Sequence, residues 1–267
     1  MDAAARQSAA HTPSGAEAAR TIAFQGLPGA YSDLSCRHAY PGWATLPCPS
    51  FEAAMEAVRE ERAARAMLPS ENSLAGRVPD IHRLLPGSGL HVVGEHFERV
   101  IHCLLAPEGA TEATIRRAHS HPMALGQVLN ILRDMKLDAV IEADTAGAAK
   151  LIAERGGVED AAIASSLAAE IYGLKVLRHG VEDAEHNTTR FYIMANAPKL
   201  PPVGTPHCVT SFVFRCKSIP AALYKALGGF ATNGINLTKL ESYMLDGRFT
   251  AVQFLCEADG QDRKSVV

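Results

Sequence analysis

From Thr21 onward, short apolar runs alternate with segments whose apolar residues recur at helical spacing. Thr21-Ile22-Ala23-Phe24 reads as a strand, followed by the turn-forming Gly26-Leu27-Pro28-Gly29 and a helix beginning near Tyr31. Ser50 is placed to cap a helix in which Phe51, Ala54, Met55 and Val58 fall at i, i+3, i+4 and i+7. Ala66 to Pro69 predicts a short buried strand running into the polar loop Ser70-Glu71-Asn72-Ser73. Residues 90–106 read as extended chain crossing the molecule, and Pro122 suits the first turn of a helix continuing to Met135. Further strands are expected at 138–143, 161–165, 175–181 and 189–195. Asp144-Thr145 opens one intervening helix, and Ser165 or Ser166 opens another.

This alternation predicts parallel α/β sheets. Two clusters of such units flank residues 90–106, which predicts two lobes with a cleft between them and a final strand returning to the first lobe. Ligands of open α/β sheets bind beyond the carboxyl ends of the strands. Tyr31-Ser32, Asn72-Ser73, Ser120-His121, Thr145 and Ser165 fall at those ends, where hydroxyls and helix N-termini suit an anionic ligand. Residues 196–207 carry Pro198, Pro201, Pro202 and Pro206 and mark a domain boundary. Beyond them a strand at 207–216, a helix from Ser218 or Ile219 to Asn233, and a hairpin turning at Asp246-Gly247 predict the front of a ferredoxin-like unit. The expected divisions are a tail at 1–20, a first domain at 21–196, a linker at 197–206 and a second domain at 207–267. The lobes of the first domain are expected at about 21–100 with 183–196, and at 101–182.

Composition narrows the function classes. Of 267 residues, 47% are apolar and 21% charged, enough to build a core. A net charge of −3 without basic clusters speaks against nucleic acid or a membrane surface as partner. No apolar run reaches the roughly 18 residues needed to span a bilayer. The first twenty residues lack the apolar stretch of a secretory signal and read as a disordered tail, so a cytoplasmic location is expected. Six scattered cysteines without a Cys-x-x-Cys pair read as small buried hydrophobes of a reducing compartment. Gly26 to Gly29 is too short for a phosphate loop, and no Gly-x-Ser-x-Gly elbow is present. His91, His96 and His102, like His119 and His121, lack the i, i+4 spacing of a helical zinc site, so neither metal nor cofactor is expected.

Residues 26–32 (GLPGAYS), 71–76 (ENSLAG), 120–127 (SHPMALGQ), 144–149 (DTAGAA), 161–174 and 187–191 (NTTRF) resemble, in order and spacing, the motif series of prephenate dehydratases. The resemblance covers roughly 21–196, and 234–242 (GINLTKLES) extends it into that family's C-terminal ACT regulatory domain. It implies an α/β, two-lobed fold like that of periplasmic binding proteins, followed by a ferredoxin-like α+β unit. It also implies cofactor-free conversion of prephenate to phenylpyruvate, water and carbon dioxide in phenylalanine biosynthesis. Arogenate is the alternative substrate, and a non-catalytic sensor of small acids the alternative class.

By the same resemblance Thr189, Arg190 and Phe191 are catalytic, while Tyr31, Ser32, Asn72, Ser73, Ser120, His121, Thr145, Ala146 and Ser165 bind substrate. A threonine hydroxyl is too weak an acid for ordinary general acid catalysis, so Thr189 is expected to donate an oriented hydrogen bond to the leaving oxygen. Arg190 is expected to hold the pyruvyl carboxylate, because pairing the ring carboxylate would oppose its loss. Phe191 alternates with Thr189 and equally suits core packing; Thr145 and Ser165 equally suit helix capping.

In the second domain Ala221, Ala222, Leu223, Asn236, Leu237, Glu241 and Ser242 mark a candidate phenylalanine effector site. Ala221 stands where the family carries glycine, and Tyr243-Met244 where it carries Arg-Pro. The sequence stops after the third strand of the β-α-β-β-α-β unit. An incomplete unit is therefore expected, with a homodimer or tetramer if a neighbouring chain completes it.

Overall fold

The computed structural model describes residues 15–202, 205–244 and 251–260; the expected turn at Asp246-Gly247 lies outside them. Residues 15–20, expected to belong to a disordered tail, are built into the fold. Gly15–Ala18 forms helix α1, Ala18 is buried, and the Thr21 hydroxyl donates to the Glu17 carbonyl at 2.7 Å. The chain divides into two compact units, one comprising the residues up to Ile81 with Gly89–Ala197, the other His82–Ser88 with the residues from Pro198 onward.

In the first unit the chain runs through β1 (Thr21–Gln25), α2 (Tyr31–Ala39), β2 (Ala44–Cys48), α3 (Phe51–Arg59), β3 (Arg65–Asn72), β4 (Gly76–Arg77), the first three residues of α4 (Pro79–Leu84) and β5 (His91–Arg99). It then crosses to a second lobe. That lobe comprises β6 (Cys103–Ala106), β7 (Arg117–Ser120), α5 (Pro122–Leu125), α6 (Leu129–Asp134), β8 (Asp138–Ile141), α7 (Thr145–Arg155), β9 (Asp160–Ala164), α8 (Ser166–Tyr172) and β10 (Lys175–His179). The chain returns as β11 (Thr188–Ala195). One sheet has the order β2-β1-β3-β11-β5, with β4 beside β3, and the other the order β10-β6-β9-β7-β8.

Both sheets are mixed, which corrects the expectation of parallel ones. β11 lies antiparallel to both β3 and β5, and β6 lies antiparallel to β9 and β10. A strand returning from the other lobe enters its sheet from the opposite end and so runs against its neighbours. The crossings are tied to each other: Val100 N–H donates to the Asn187 carbonyl at 2.9 Å, and Val181 N–H to the His102 carbonyl at 3.0 Å.

Local chemistry sets the helix ends. Ser50 caps α3 by accepting from Ala53 N–H at 3.1 Å, Asp144 caps α7 through Gly147 N–H at 2.6 Å, and Ser165 caps α8 through Ala168 N–H at 3.1 Å. Gly156 and Gly173 end α7 and α8 in the left-handed conformation. The single helix expected from Pro122 to Met135 is instead α5 and α6. The Asp183 carboxylate accepts from Leu129 and Asn130 N–H at 2.7 and 3.0 Å and so starts a fresh helix there. Ile22, Phe24, Cys36, Met67, Phe191 and Ile193 form the core between the first sheet and α2.

In the second unit β12 (Val209–Arg215), α9 (Ala222–Thr232), β13 (Leu237–Met244) and β14 (Ala251–Asp259) build an antiparallel sheet of order β12-β14-β13. Phe212, Phe214, Phe230 and Phe254 pack against one another under α9, with ring centroids 5.2–6.4 Å apart. No helix among the described residues is long and apolar enough to cross a membrane.

The lobes of the first unit meet at Gly29. Its carbonyl accepts from the Ser165 hydroxyl at 2.6 Å, and the neighbouring Pro28 carbonyl accepts from Tyr172 at 2.8 Å. Gly29 has φ +88°, and an added Cβ would lie 2.8 Å from Ala168 Cα. Gly29→Ala is therefore expected to destabilise the first unit by about 1–3 kcal/mol, through backbone strain and a clash with helix backbone. Urea unfolding checks this, and an unchanged midpoint would show that the two lobes do not touch here in solution.

Candidate active site

β11 lies between β3 and the edge strand β5 in the first sheet, and the side chains on its two faces do different things. Thr189 lies opposite Asn72 on β3 and Glu98 on β5, and cross-strand partners share a face. The Asn72 side-chain oxygen accepts from Leu74 and Ala75 N–H, both at 2.9 Å, which fixes the orientation of its amide. Its Nδ2 therefore faces inward and donates to Thr189 Oγ1 at 3.0 Å and to Asn187 Oδ1 at 2.8 Å. Asn187 in turn donates through Nδ2 to Gln127 Oε1 at 2.8 Å.

Gln127 Oε1 also lies 2.9 Å from His102 Nε2, so that nitrogen carries a hydrogen. On the other side of the ring, Nδ1 lies 2.7 Å from the Tyr31 hydroxyl, and the rings meet edge-on. In the neutral imidazole Nδ1 accepts from Tyr31. In the imidazolium Nδ1 would donate to Tyr31, whose hydrogen would turn to the Ile101 carbonyl 3.0 Å away. Burial lowers the His102 pKa, against smaller opposing effects of the Gln127 hydrogen bond and the Glu182 charge. Burial likewise raises Tyr31 well above its ordinary value. The neutral, Nε2-protonated ring is therefore the resting state. Thr189 Oγ1 has its acceptor side filled by Asn72, and among the described residues no group accepts its hydrogen. That hydrogen is what Thr189 offers a ligand.

Arg190 occupies the opposite face. Its Nε and Nη2 lie 2.7 and 2.6 Å from Glu95 Oε2, its Nη1 lies 2.9 Å from Glu71 Oε1, and its guanidinium carbon is 5.9 and 5.3 Å from the Phe97 and Tyr192 rings. The guanidinium expected to hold the pyruvyl carboxylate is thus engaged by two glutamates on the face away from Thr189, since successive strand residues point to opposite faces. Phe191, 1% exposed, belongs to the core and does not reach the cleft.

Several expected binding residues spend their side chains on the fold. Ser73 donates to the His186 carbonyl at 2.7 Å and accepts from Thr188 N–H at 2.9 Å, sewing the β3 loop to the start of β11. Ser120 is buried and donates to the Ile163 carbonyl at 2.6 Å. Ser165 joins the lobes at Gly29. His121 caps α5 by accepting from Met123 N–H at 3.2 Å. Thr145 is the first residue of α7, after its Asp144 cap, while Ala146 is buried and Ser32 is half-buried in the first turn of α2. Tyr172 is raised by burial and then by the charges of Asp144 and Asp33. A cavity of about 340 Å³ opens beside Gln127, lined also by Leu74, Ala75, Pro122, Met123 and Asp183.

Gln127, His102 and Glu182, whose carboxylate accepts His102 N–H at 2.9 Å, were not among the expected site residues. Gln127 ends the 120–127 motif, and His102 is a polar residue within the apolar run from Val100 to Ala106. In the second unit Ala222, Leu223 and Ser242 line a cavity of about 690 Å³. The other expected effector residues do not line it. Asn236 bonds Asp259 at 2.6 Å, Leu237 pairs with Ala258, Glu241 lies 3.5 Å from Lys239, and Ala221 sits at φ +62° before α9. All six cysteines are free; Cys36, Cys48, Cys103 and Cys256 are buried, and burial raises the thiols of Cys103 and Cys256 to about 11.

The amide relay from Asn72 to His102 is open to direct measurement. Nitrogen-15 spectra of the histidine rings at neutral pH are expected to show His102 neutral with its hydrogen on Nε2. The Nδ1–H tautomer would mean that the amides run in the reverse sense.

The family model described as "Prephenate dehydratase" matches residues 22–199. A bifunctional N-acyl-homoserine lactone acylase/prephenate dehydratase of Komagataeibacter europaeus is 60% identical over 90% of this chain and 86% of that protein. Arogenate dehydratase/prephenate dehydratase 1 of Arabidopsis thaliana is 42% identical over 83% of this chain, which spans only 56% of the plant protein. The structure of an Arthrobacter aurescens prephenate dehydratase in complex with L-Phe superposes with a TM-score of 0.82 at 28% identity, covering 90% of this chain and 80% of that one. The chain belongs to the prephenate dehydratase family.

Proposed function

We propose that the first unit converts prephenate to phenylpyruvate, water and carbon dioxide, with the Thr189 hydroxyl donating to the departing ring hydroxyl. The reading rests on one observation above others: Asn72 fills the acceptor side of Thr189 Oγ1 and leaves its hydrogen to the ligand. As carbon dioxide leaves, the electron pair of its bond enters the ring and the carbon–oxygen bond breaks on the other side. Negative charge then grows on the departing oxygen, where a fixed donor is worth more than in the ground state; it leaves as hydroxide and takes its second proton from the solvent to become water. The amides of Asn72, Asn187 and Gln127 are too weak as acids or bases to pass a proton along, so the relay orients Thr189 and does not feed it. With Arg190 committed to Glu71 and Glu95, we assign the substrate carboxylates to the first turns of α2 and α7, at Tyr31-Ser32 and Thr145-Ala146.

We further read phenylalanine as an effector held in the cavity lined by Ala222, Leu223 and Ser242, which has ample volume for an amino acid. Six free cysteines support a reducing, cytoplasmic setting. A second activity, hydrolysis of the amide of an acyl-homoserine lactone, is supported by the 60% identity to the Komagataeibacter protein that carries that name. The same Thr189 hydrogen would meet the scissile carbonyl, whereas the buried, raised thiols of Cys103 and Cys256 do not suit a nucleophile.

Purified protein is expected to form phenylpyruvate from prephenate, followed by its ultraviolet absorbance, and turnover on arogenate ranks the two acids. Thr189→Val should lower kcat by about 100- to 1,000-fold, while Thr189→Ser stays within about tenfold of the parent. Absence of product with undiminished ligand binding would turn the reading to a sensor. Arg190→Lys is expected to lower the urea midpoint with KM changed only a few-fold. A large rise in KM at unchanged stability would return Arg190 to the substrate. Mass spectrometry for released homoserine lactone tests the second activity, which Thr189→Val should abolish together with the first.

A further inference from the structure

His96 and Glu98 stand two residues apart on β5 and so project from the same face of the first sheet, the face that packs against α2. His38, in the last turn of α2, comes down onto them. His38 Nδ1 and His96 Nε2 both approach one carboxylate oxygen, Glu98 Oε2, at 2.9 and 3.0 Å, and all three atoms lie within 4.8 Å of one another. Glu98 is 7% exposed, and among the described residues its side chain is met by these two imidazoles and by no lysine or arginine. This buried carboxylate thus draws its side-chain hydrogen bonds from two imidazoles on different elements.

We propose that His38, His96 and Glu98 form a site for one divalent transition ion of the zinc class, with water completing its coordination. Two imidazole nitrogens and a carboxylate oxygen are the ligand types such ions take, and three protein ligands leave a position open. Bonds of about 2.0–2.2 Å place neighbouring ligands roughly 3–3.5 Å apart. The two nitrogen-to-oxygen edges already have nearly that length. The third edge closes by movement of His38, whose side chain is 54% exposed and free to swing, while His96 and Glu98 ride on a paired strand. The C-terminal end of α2 adds a partial negative charge beside the ion. An ion here replaces the hydrogens now shared with Glu98 and clamps α2 to β5. Glu98 pairs with Thr189 in the ladder, so the clamp bears on the strand next to the reactive hydroxyl.

The full chain, stripped with a chelator, is titrated with Zn²⁺ by calorimetry and with Co²⁺ as an absorbing probe. One ion per chain is expected, with a thermal midpoint raised by several degrees and affinity falling as acid protonates the imidazoles. His38→Ala and His96→Ala should each weaken binding at least tenfold, whereas His179→Ala, at an exposed position on β10, should not. His38→Ala removes an exposed side chain, so its fold, checked by circular dichroism, is expected to survive. No saturable binding below about 1 mM free ion, or equal binding by parent, His38→Ala and His96→Ala, would overturn the proposal and leave the trio as a hydrogen-bonded brace.

Discussion

Two backbone N–H groups, those of Leu74 and Ala75, decide the direction of the amide series that runs from Thr189 to His102. By donating to Asn72 Oδ1 they leave its Nδ2 as the inward-facing end of the amide. From that choice follow the orientation of Asn187, then of Gln127, and finally the ring nitrogen on which His102 carries its hydrogen. An isolated asparagine amide can turn over at little cost, since its ends are similar in size. Here, reversal would set like groups against each other along the whole series, so a local turn carries the cost of a long network.

The second governing constraint is the pleat of β11. Its odd positions, Thr189, Phe191 and Ile193, face α2 and the core; its even positions, Arg190 and Tyr192, face away. One face supplies the hydroxyl and the packing beneath it. The other supplies a guanidinium bracketed by Glu71 on β3 and Glu95 on β5, which ties β11 to both neighbours. The adjacent Thr189 and Arg190 thus point to two sides of one sheet, the first into the amide series and the second between two glutamates.

Much of this was legible in the sequence because it is local. The Ser50 cap, the helix starts at Asp144 and Ser165 and the apolar runs of β1, β9 and β11 each declare themselves within a few residues. The motifs also led to Thr189, Asn72 and Tyr31, which the structure links through one hydrogen-bonded series. What remained hidden depends on long-range pairing. The antiparallel return of β11, the break between α5 and α6 imposed by Asp183, and the burial of Ser120 are decided by partners dozens of residues away.

The two crossings between the lobes carry Asn187 and His102, and each crossing is bonded to the other. They are the natural place for the first unit to flex, and they are also links in the series that aims Thr189. Any swing that parts Ser165 from Gly29 must pass through these same residues and disturb the spacing from Gln127 to its neighbours. The connections that join the lobes and the series that aims the Thr189 hydroxyl therefore share residues, and neither can shift without the other.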